Sequence, residues 1–390
     1  MCILNNLGTA LNATGRIIDA IEIWDRLLLI DDSFALARLN RALAWIYYGD
    51  AVHDESHRLL LRKRAYQNMK QISRPVLTAE QRDDLDRHLK SLEATVGLEW
   101  LDEEINWDDM RISDTAEEKT YREWCLKNRL FLHSLNDAGN ILLASYDAIA
   151  TPDMFVEYTA DGPYRQGFFN QLVQEFVSAR FLIYEGFTFR PTHFSDRHVT
   201  LADTLDGALF SFGQEKIRCA FRVTYSLFDK IAYFLNHYFH LDIPEKQVSF
   251  RSLWYEKRNL KTRPVRSEFK TRYSNWPLRA LFWLSKDFEE DNDGFQNSIE
   301  PEAQKLRSIR DHLEHKLLRI HRESVPEIIP LGQYSITESD FRSKTIRLAR
   351  LGRSALMYLA LAMRHEERSN RNTAQPTVPL AWVPLHPNRK

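Results

Sequence analysis

From Gly167 onward the chain sets apolar residues three and four positions apart and seldom alternates them strictly. That spacing lines one face of an α-helix, whereas a half-buried strand needs a period of two. Five stretches are therefore expected as helices: 168–184, 213–239, 277–288, 301–322 and 339–366. The fourth opens with Pro301, a residue favoured at the first helical position. Together they hold enough Leu, Ile, Phe and Tyr for one helical bundle of about 200 residues. With only 13 glycines in 390 residues, the expected fold class is all-α.

The 53 basic and 54 acidic side chains leave a net charge of −1, so a surface for a polyanion has to arise by local segregation of charge. Cys2, Cys125 and Cys219 lie too far apart for a disulfide framework or a zinc ribbon, which points to a reducing cytoplasm. No run reaches the roughly 18 apolar residues of a membrane span. The N-terminus also lacks a charged segment followed by an apolar one. A cytoplasmic protein without membrane contact is expected.

The first fifty residues repeat at an offset of 34: Asn6 with Asn40, Gly8 with Ala42, Ala10 with Ala44, Gly15 with Gly49. This period resembles the tetratricopeptide repeat, in which small and large side chains interlock two helices. Leu4, Leu7, Gly8, Leu11, Ala20, Trp24 and Leu27 occupy such positions in the first copy. In the second copy Asp54 and Arg58 fall where a second helix should bury small or aromatic residues, so the repeat is expected to decay there. Tetratricopeptide-like hairpins are assigned to 1–75, with a protein partner as one use for them.

Residues 78–123 are acidic and read as a solvated helix and linker within a connecting region, 76–165; the carboxylates point to no metal site. Within that region 121–140 mixes Trp124, Leu126, Leu130, Phe131 and Leu135 with polar residues and is expected to dock onto another part of the chain. The bundle is assigned to 166–368 and a tail to 369–390. Between its second and third helices, cations including Lys246, Arg251, Lys257, Arg258, Lys261, Arg263, Arg266, Arg272 and Arg279 interleave with Phe250, Trp254, Tyr255, Tyr273 and Trp276. That composition suits phosphate contacts with base stacking, or else a core with a solvated cationic rim. The fifth helix adds Arg342, Lys344, Arg347, Arg350 and Arg353.

The chain contains no glycine-rich phosphate loop and no serine-hydrolase elbow, and His237/His240 and His312/His315 lack the further ligands of a zinc site. No cofactor and no metal are expected. On the fourth helix, Leu306, Ile309, Leu313, Leu317 and Ile320 form one packing stripe. Beside it runs a charged arc of Arg310, His321, Glu314, Arg307, Leu318, Asp311, Arg322 and His315. Arg310 and His315 form an R-x4-H pair, a spacing that an arginine-rich chain also produces by accident. His312 projects from the other side of the helix.

Embedded as Ile309-Arg310-Asp311-His312-Leu313-Glu314-His315-Lys316 near the end of an α-helical bundle, the pair resembles the HEPN superfamily (higher eukaryotes and prokaryotes nucleotide-binding). Ribonucleases of that superfamily carry R-x4-6-H with a polar residue after the arginine. The Trp124, Cys125, Leu126 segment with Leu135, Asn136 and Asp137, and the tetratricopeptide-like front, are similar to one bacterial HEPN subgroup. The resemblance implies a homodimer whose two motif helices form one composite, metal-independent RNA-cleaving site. It casts Arg310, Asp311, Glu314 and His315 as catalytic, and a transfer RNA in a toxin or phage-defence setting as the substrate. Lys257, Arg258, Lys261, Arg263, Arg307 and Lys316 are the candidate RNA contacts. The competing expectation is a non-catalytic HEPN or tetratricopeptide adaptor that binds RNA or protein.

Overall fold

The computed structural model describes residues 1–107, 113–151, 164–188, 192–202, 205–256, 264–288, 302–325 and 332–370. Helix α1 (Cys2–Ala13) packs on α2 (Ile17–Ile30), and α3 (Ala35–Ala51) on α4 (Glu55–Lys70). Gly8 lets the first pair approach closely, because a Cβ there would lie 2.5 Å from the Trp24 indole nitrogen. Gly15 turns the chain between α1 and α2 at φ +87°, and a side chain there would meet the Trp276 carbonyl at 2.4 Å.

The second hairpin forms although the repeat decays: Ala20 and Trp24 are buried, while Asp54 and Arg58, 34 positions on, stay at the surface. Asp54 accepts hydrogen bonds from the backbone N–H groups of Ser56 (2.8 Å) and His57 (3.3 Å), so it is the N-cap of α4 rather than a break. Behind it Leu61, Ala65, Tyr66 and Met69 are buried. Helices α5 (Ala79–Val96) and α6 (Leu98–Asp102) follow on α4, α5 starting with a Thr78–Gln81 capping box and burying Leu85, Leu89 and Leu92.

After α7 (Ala116–Lys127) the chain turns at Arg129, φ +56°, and enters the interior. There Asn136 accepts from the Phe131 N–H (3.2 Å) and donates to the Leu126 carbonyl (3.2 Å). Asp137 lies between the two halves of the molecule. Trp45 of α3 donates to its carbonyl (3.0 Å) and the Tyr48 hydroxyl to its carboxylate (3.2 Å). From the other side Arg353 reaches both carboxylate oxygens, at 2.7 and 2.9 Å.

Arg353 belongs to the last helix of a bundle made of α8 (Tyr164–Thr188), α9 (Phe212–Tyr238), the short α10 (Ser267–Lys270), α11 (Trp276–Lys286), α12 (Glu302–His315) and α13 (Glu338–Asn370). α8 clasps the connecting segment through Arg180, which donates to both Asp147 oxygens at 2.8 Å and to the Leu130 carbonyl at 2.8 Å. α13 is the shared spine: it packs on α8, α9 and α11, and its Tyr358 hydroxyl donates to Asp19 of α2 at 3.1 Å. One continuous apolar cluster therefore runs from Leu11 through Phe221 and Leu281 to Met363. No helix among the described residues is long and apolar enough to cross a membrane.

The expected fourth bundle helix is only partly helical. α12 ends at His315, and the chain then forms strand β1 (Leu317–His321), paired in parallel with β2 (Gln333–Thr337) in the register Leu317 to Gln333 through His321 to Thr337. The Leu209 N–H donates to the Ile320 carbonyl at 2.7 Å on the other side of β1. The short run 317–321 fits a helical stripe through Leu317 and Ile320 and a strand through Leu318 and Ile320 equally well. Burial decides between them: Leu318 and Ile320 are buried, while Leu317 is 41% exposed. Leu318, His321 and Arg322 consequently leave the charged arc of the helix, and Leu318 is packed inside its own chain. Apart from this strand pair the described residues form an all-α protein.

Candidate functional site

α12 lies against α9, and arginines of α9 hold its end. Arg222 donates to the Leu313 carbonyl at 2.8 Å, taking up one of the carbonyls a helix end leaves unpaired, and Arg218 donates to the Leu318 carbonyl at 3.3 Å. One turn along α9, the Tyr225 ring lies 5.6 Å beneath the Arg310 guanidinium. Burial pushes the Tyr225 hydroxyl up to about 12, although Arg251, Arg307 and Arg310 all act to lower it. These three arginines thus share one neighbourhood, a cationic face that joins α9, the segment after it and α12.

Asp311 organises that face. Arg310 donates to its Oδ1 at 3.1 Å, and the Arg307 Nε stands 3.8 Å from Oδ2. Two other i,i+4 pairs open to this helix, Arg310 with Glu314 and Asp311 with His315, do not form. Glu314, His315 and Lys316 are exposed, and among the described residues the side chains of Glu314 and His315 make no ion pair or hydrogen bond within the chain. Five residues of helix separate Arg310 from His315 by about 7.5 Å of rise and about 140° of rotation. Arg310 therefore flanks α9 while His315 occupies the free end.

The other histidines nearby are tied down. His312 hydrogen-bonds through Nδ1 to the Ser308 carbonyl at 2.7 Å, and its ring lies 5.4 Å from that of Tyr334 in β2. His321 is buried, with Nδ1 2.9 Å from the Asp206 carbonyl oxygen, and Asp206 also forms an ion pair with Arg319.

The basic stretch after α9 resolves differently from an RNA-stacking surface. Phe250, Trp254, Tyr255 and Trp276 are buried in the core, and only Tyr273, 67% exposed, is available, with Arg279 stacked on it at 4.7 Å. Arg272 pairs with Glu366 at 2.9 Å and Arg266 donates to the Leu253 carbonyl at 3.0 Å, so these cations hold structure together. Lys257, Arg258, Lys261 and Arg263 lie outside the described residues. Arg307 and Lys316 are the remaining candidate RNA contacts within them, and both lie on or beside α12.

Sequence reasoning missed Tyr225, Arg218 and Arg222. Their spacing along α9 puts them on one helical face, but only the packing of α12 against that face gives it meaning. Among the described residues no group of three His, Cys, Asp or Glu side chains is placed to hold a metal ion.

The family model described as LA2681-like HEPN matches residues 156–366, more than half of the chain and nearly all of the α8 to α13 bundle. The match begins after the N-terminal hairpins and after the Trp124, Cys125, Leu126 segment. No curated protein and no solved structure matches the chain. On a match of this extent over the bundle that carries α12, the chain belongs to the LA2681-like HEPN family.

Proposed function

We propose that the protein is a metal-independent endoribonuclease whose active site is assembled in a homodimer from two α12 ends. The observation that carries this reading is the contrast among the three histidines. His312 and His321 are committed to backbone carbonyls, whereas His315 stands at the exposed end of the helix that carries Arg310, itself held in place by Asp311.

His315 of one subunit takes the proton of a ribose 2′-hydroxyl as its oxygen attacks the neighbouring phosphorus. The second His315, protonated, gives its proton to the departing 5′-oxygen. Arg310 holds the charge of the pentacovalent phosphorus through its planar fork, which Asp311 keeps oriented. Glu314, which makes no bond to His315 within its own chain, is assigned to orient the imidazole or arginine of the facing subunit. The products are a 2′,3′-cyclic phosphate and a 5′-hydroxyl, because the nucleophile belongs to the RNA. Arg307 and Lys316 contact the flanking phosphates. The setting proposed is that of a toxin or phage-defence effector acting on a structured RNA such as a transfer RNA.

His315→Ala should remove about 10²- to 10⁴-fold of the cleavage rate, and Arg310→Ala nearly as much. His312→Ala should leave cleavage largely intact, and so should EDTA. Cleavage that survives in His315→Ala, or that EDTA eliminates, overturns the mechanism. The runner-up, an adaptor role for the N-terminal hairpins, draws on the exposed apolar side chains of Ile3, Leu29 and Ile30. It becomes the better reading if the pure protein binds RNA without cutting it.

A further inference from the structure

Away from α12, a cavity of about 520 Å³ opens between α2, the end of α8 and the first half of α13. Arg26, Arg342, Lys344, Arg347 and Arg350 line it, against one carboxylate, Glu22. For a chain whose net charge is −1 this is a strong local segregation. None of the lining residues lies on α9 or α12, so the site is separate from the one proposed above.

The guanidinium groups are fixed in place. Arg347 and Arg350 each donate to a different oxygen of Glu22, at 3.0 and 2.9 Å, and the Arg350 Nε donates to the Asn128 carbonyl at 2.8 Å. Arg342 is held by Glu338 (2.8 Å) and the Phe187 carbonyl (3.2 Å), with its guanidinium 4.9 Å over the Phe187 ring. Glu22 shares the counter-charge with Glu338, which pairs with Arg342, and with Asp19, 4.0 Å from Arg347. Burial alone would raise the pKa of Glu22, but Arg347, Arg350 and Arg129 outweigh that and bring it to about 2. It is therefore charged at neutral pH and pairs with two of the five lining cations, Arg347 and Arg350. Arg350 is lowered by burial and, although Glu22 opposes this, by crowding from Arg129 and Arg347. An anion entering the cavity would relieve that repulsion.

We propose that this cavity binds a di- or triphosphate group, with Arg26 and Lys344 closing on it from the rim and Arg342, Arg347 and Arg350 receiving it on fixed donors. Cations converging on one cavity fit charge concentrated on a single group better than charge spaced along a nucleic-acid backbone, and arginine forks match phosphate oxygens in pairs. The group can arrive on a free nucleotide or on the 5′ end of an RNA.

The test is titration calorimetry of the full chain with inorganic tripolyphosphate at low and high salt. Saturable binding at one ligand per chain, weakening as salt rises, is expected. Arg26→Glu combined with Lys344→Glu should weaken it by about tenfold or more, the loss of at least one charge-assisted contact. Glu22→Gln should tighten it, an outcome that a purely structural role for Glu22 would not give. Competition by ATP assigns the site to free nucleotides. Competition by an RNA with a 5′-triphosphate, but not by its 5′-hydroxyl counterpart, assigns it to RNA ends. Absence of tripolyphosphate binding at low salt, or binding unchanged in the folded Arg26/Lys344 variant, overturns the proposal.

Discussion

His133 sits where a charge is not tolerated. Burial, with His57 and Arg353 nearby, brings its pKa from the ordinary 6.5 down to about 3. Its Nδ1 accepts from the Leu135 N–H at 3.1 Å, a bond that only the neutral ring can make. The unfolded chain therefore binds this proton well before the folded one does. The stability His133 contributes is complete above about pH 6.5 and falls as the pH drops toward 3. Melting temperature should decline between pH 7 and pH 5, and His133→Asn, which keeps an acceptor but removes the titration, should flatten that slope. Asp137 and Arg353 carry a larger stake. Asp137→Ala leaves Arg353 buried without its counter-charge and should cost about 3–5 kcal/mol in a denaturant titration. At this scale the sequence offers Arg310, Asp311 and His315 as candidates through their spacing on one helix. Tyr225 and Arg222 were not legible, because they come from a helix far upstream and reach the site only through tertiary packing.

Among the elements, α8, α9, α11 and α13 follow closely from their three- and four-residue spacing, since each buries a long continuous stripe. α12 does not, because its stripe continues into five residues that satisfy both periods. The partner strand 333–337 and the backbone at Leu209 settle the choice in a way no local pattern records. The basic aromatic stretch allowed two readings for a related reason: composition cannot distinguish a ring that stacks on a base from one that fills a core, and burial of Phe250, Trp254, Tyr255 and Trp276 favours the core. α4 shows the reverse case, in which Asp54 weakens the repeat pattern while capping the helix that completes the hairpin. The turn at Gly15 binds the first hairpin to α11 by close approach. Gly15→Ala must adopt a left-handed backbone against the Trp276 carbonyl and should cost about 1–3 kcal/mol for the backbone conformation alone, read as a lower denaturation midpoint.

At the scale of the whole molecule, the N-terminal hairpins and the bundle share one apolar core through α13, with the segment after α7 held between them by Asp137 and Asn136. The charged end of α12 is left on the outside of that body. In the proposed dimer the apolar contribution to the two-fold interface would come from Leu317 rather than Leu318, since Leu317 is exposed beside His315 and Leu318 is buried at 4%. Leu317→Asp should shift the sedimentation profile from dimer to monomer and reduce cleavage with it, whereas a dimer indifferent to Leu317→Asp would place the interface elsewhere. The measurement closest to the central claim is the chemistry of the cut ends. RNA incubated with the protein in EDTA should yield 2′,3′-cyclic phosphate and 5′-hydroxyl termini by mass spectrometry, and His315→Ala should yield neither. Termini bearing 3′-hydroxyl and 5′-phosphate groups, or cyclic phosphates produced undiminished by His315→Ala, would contradict it.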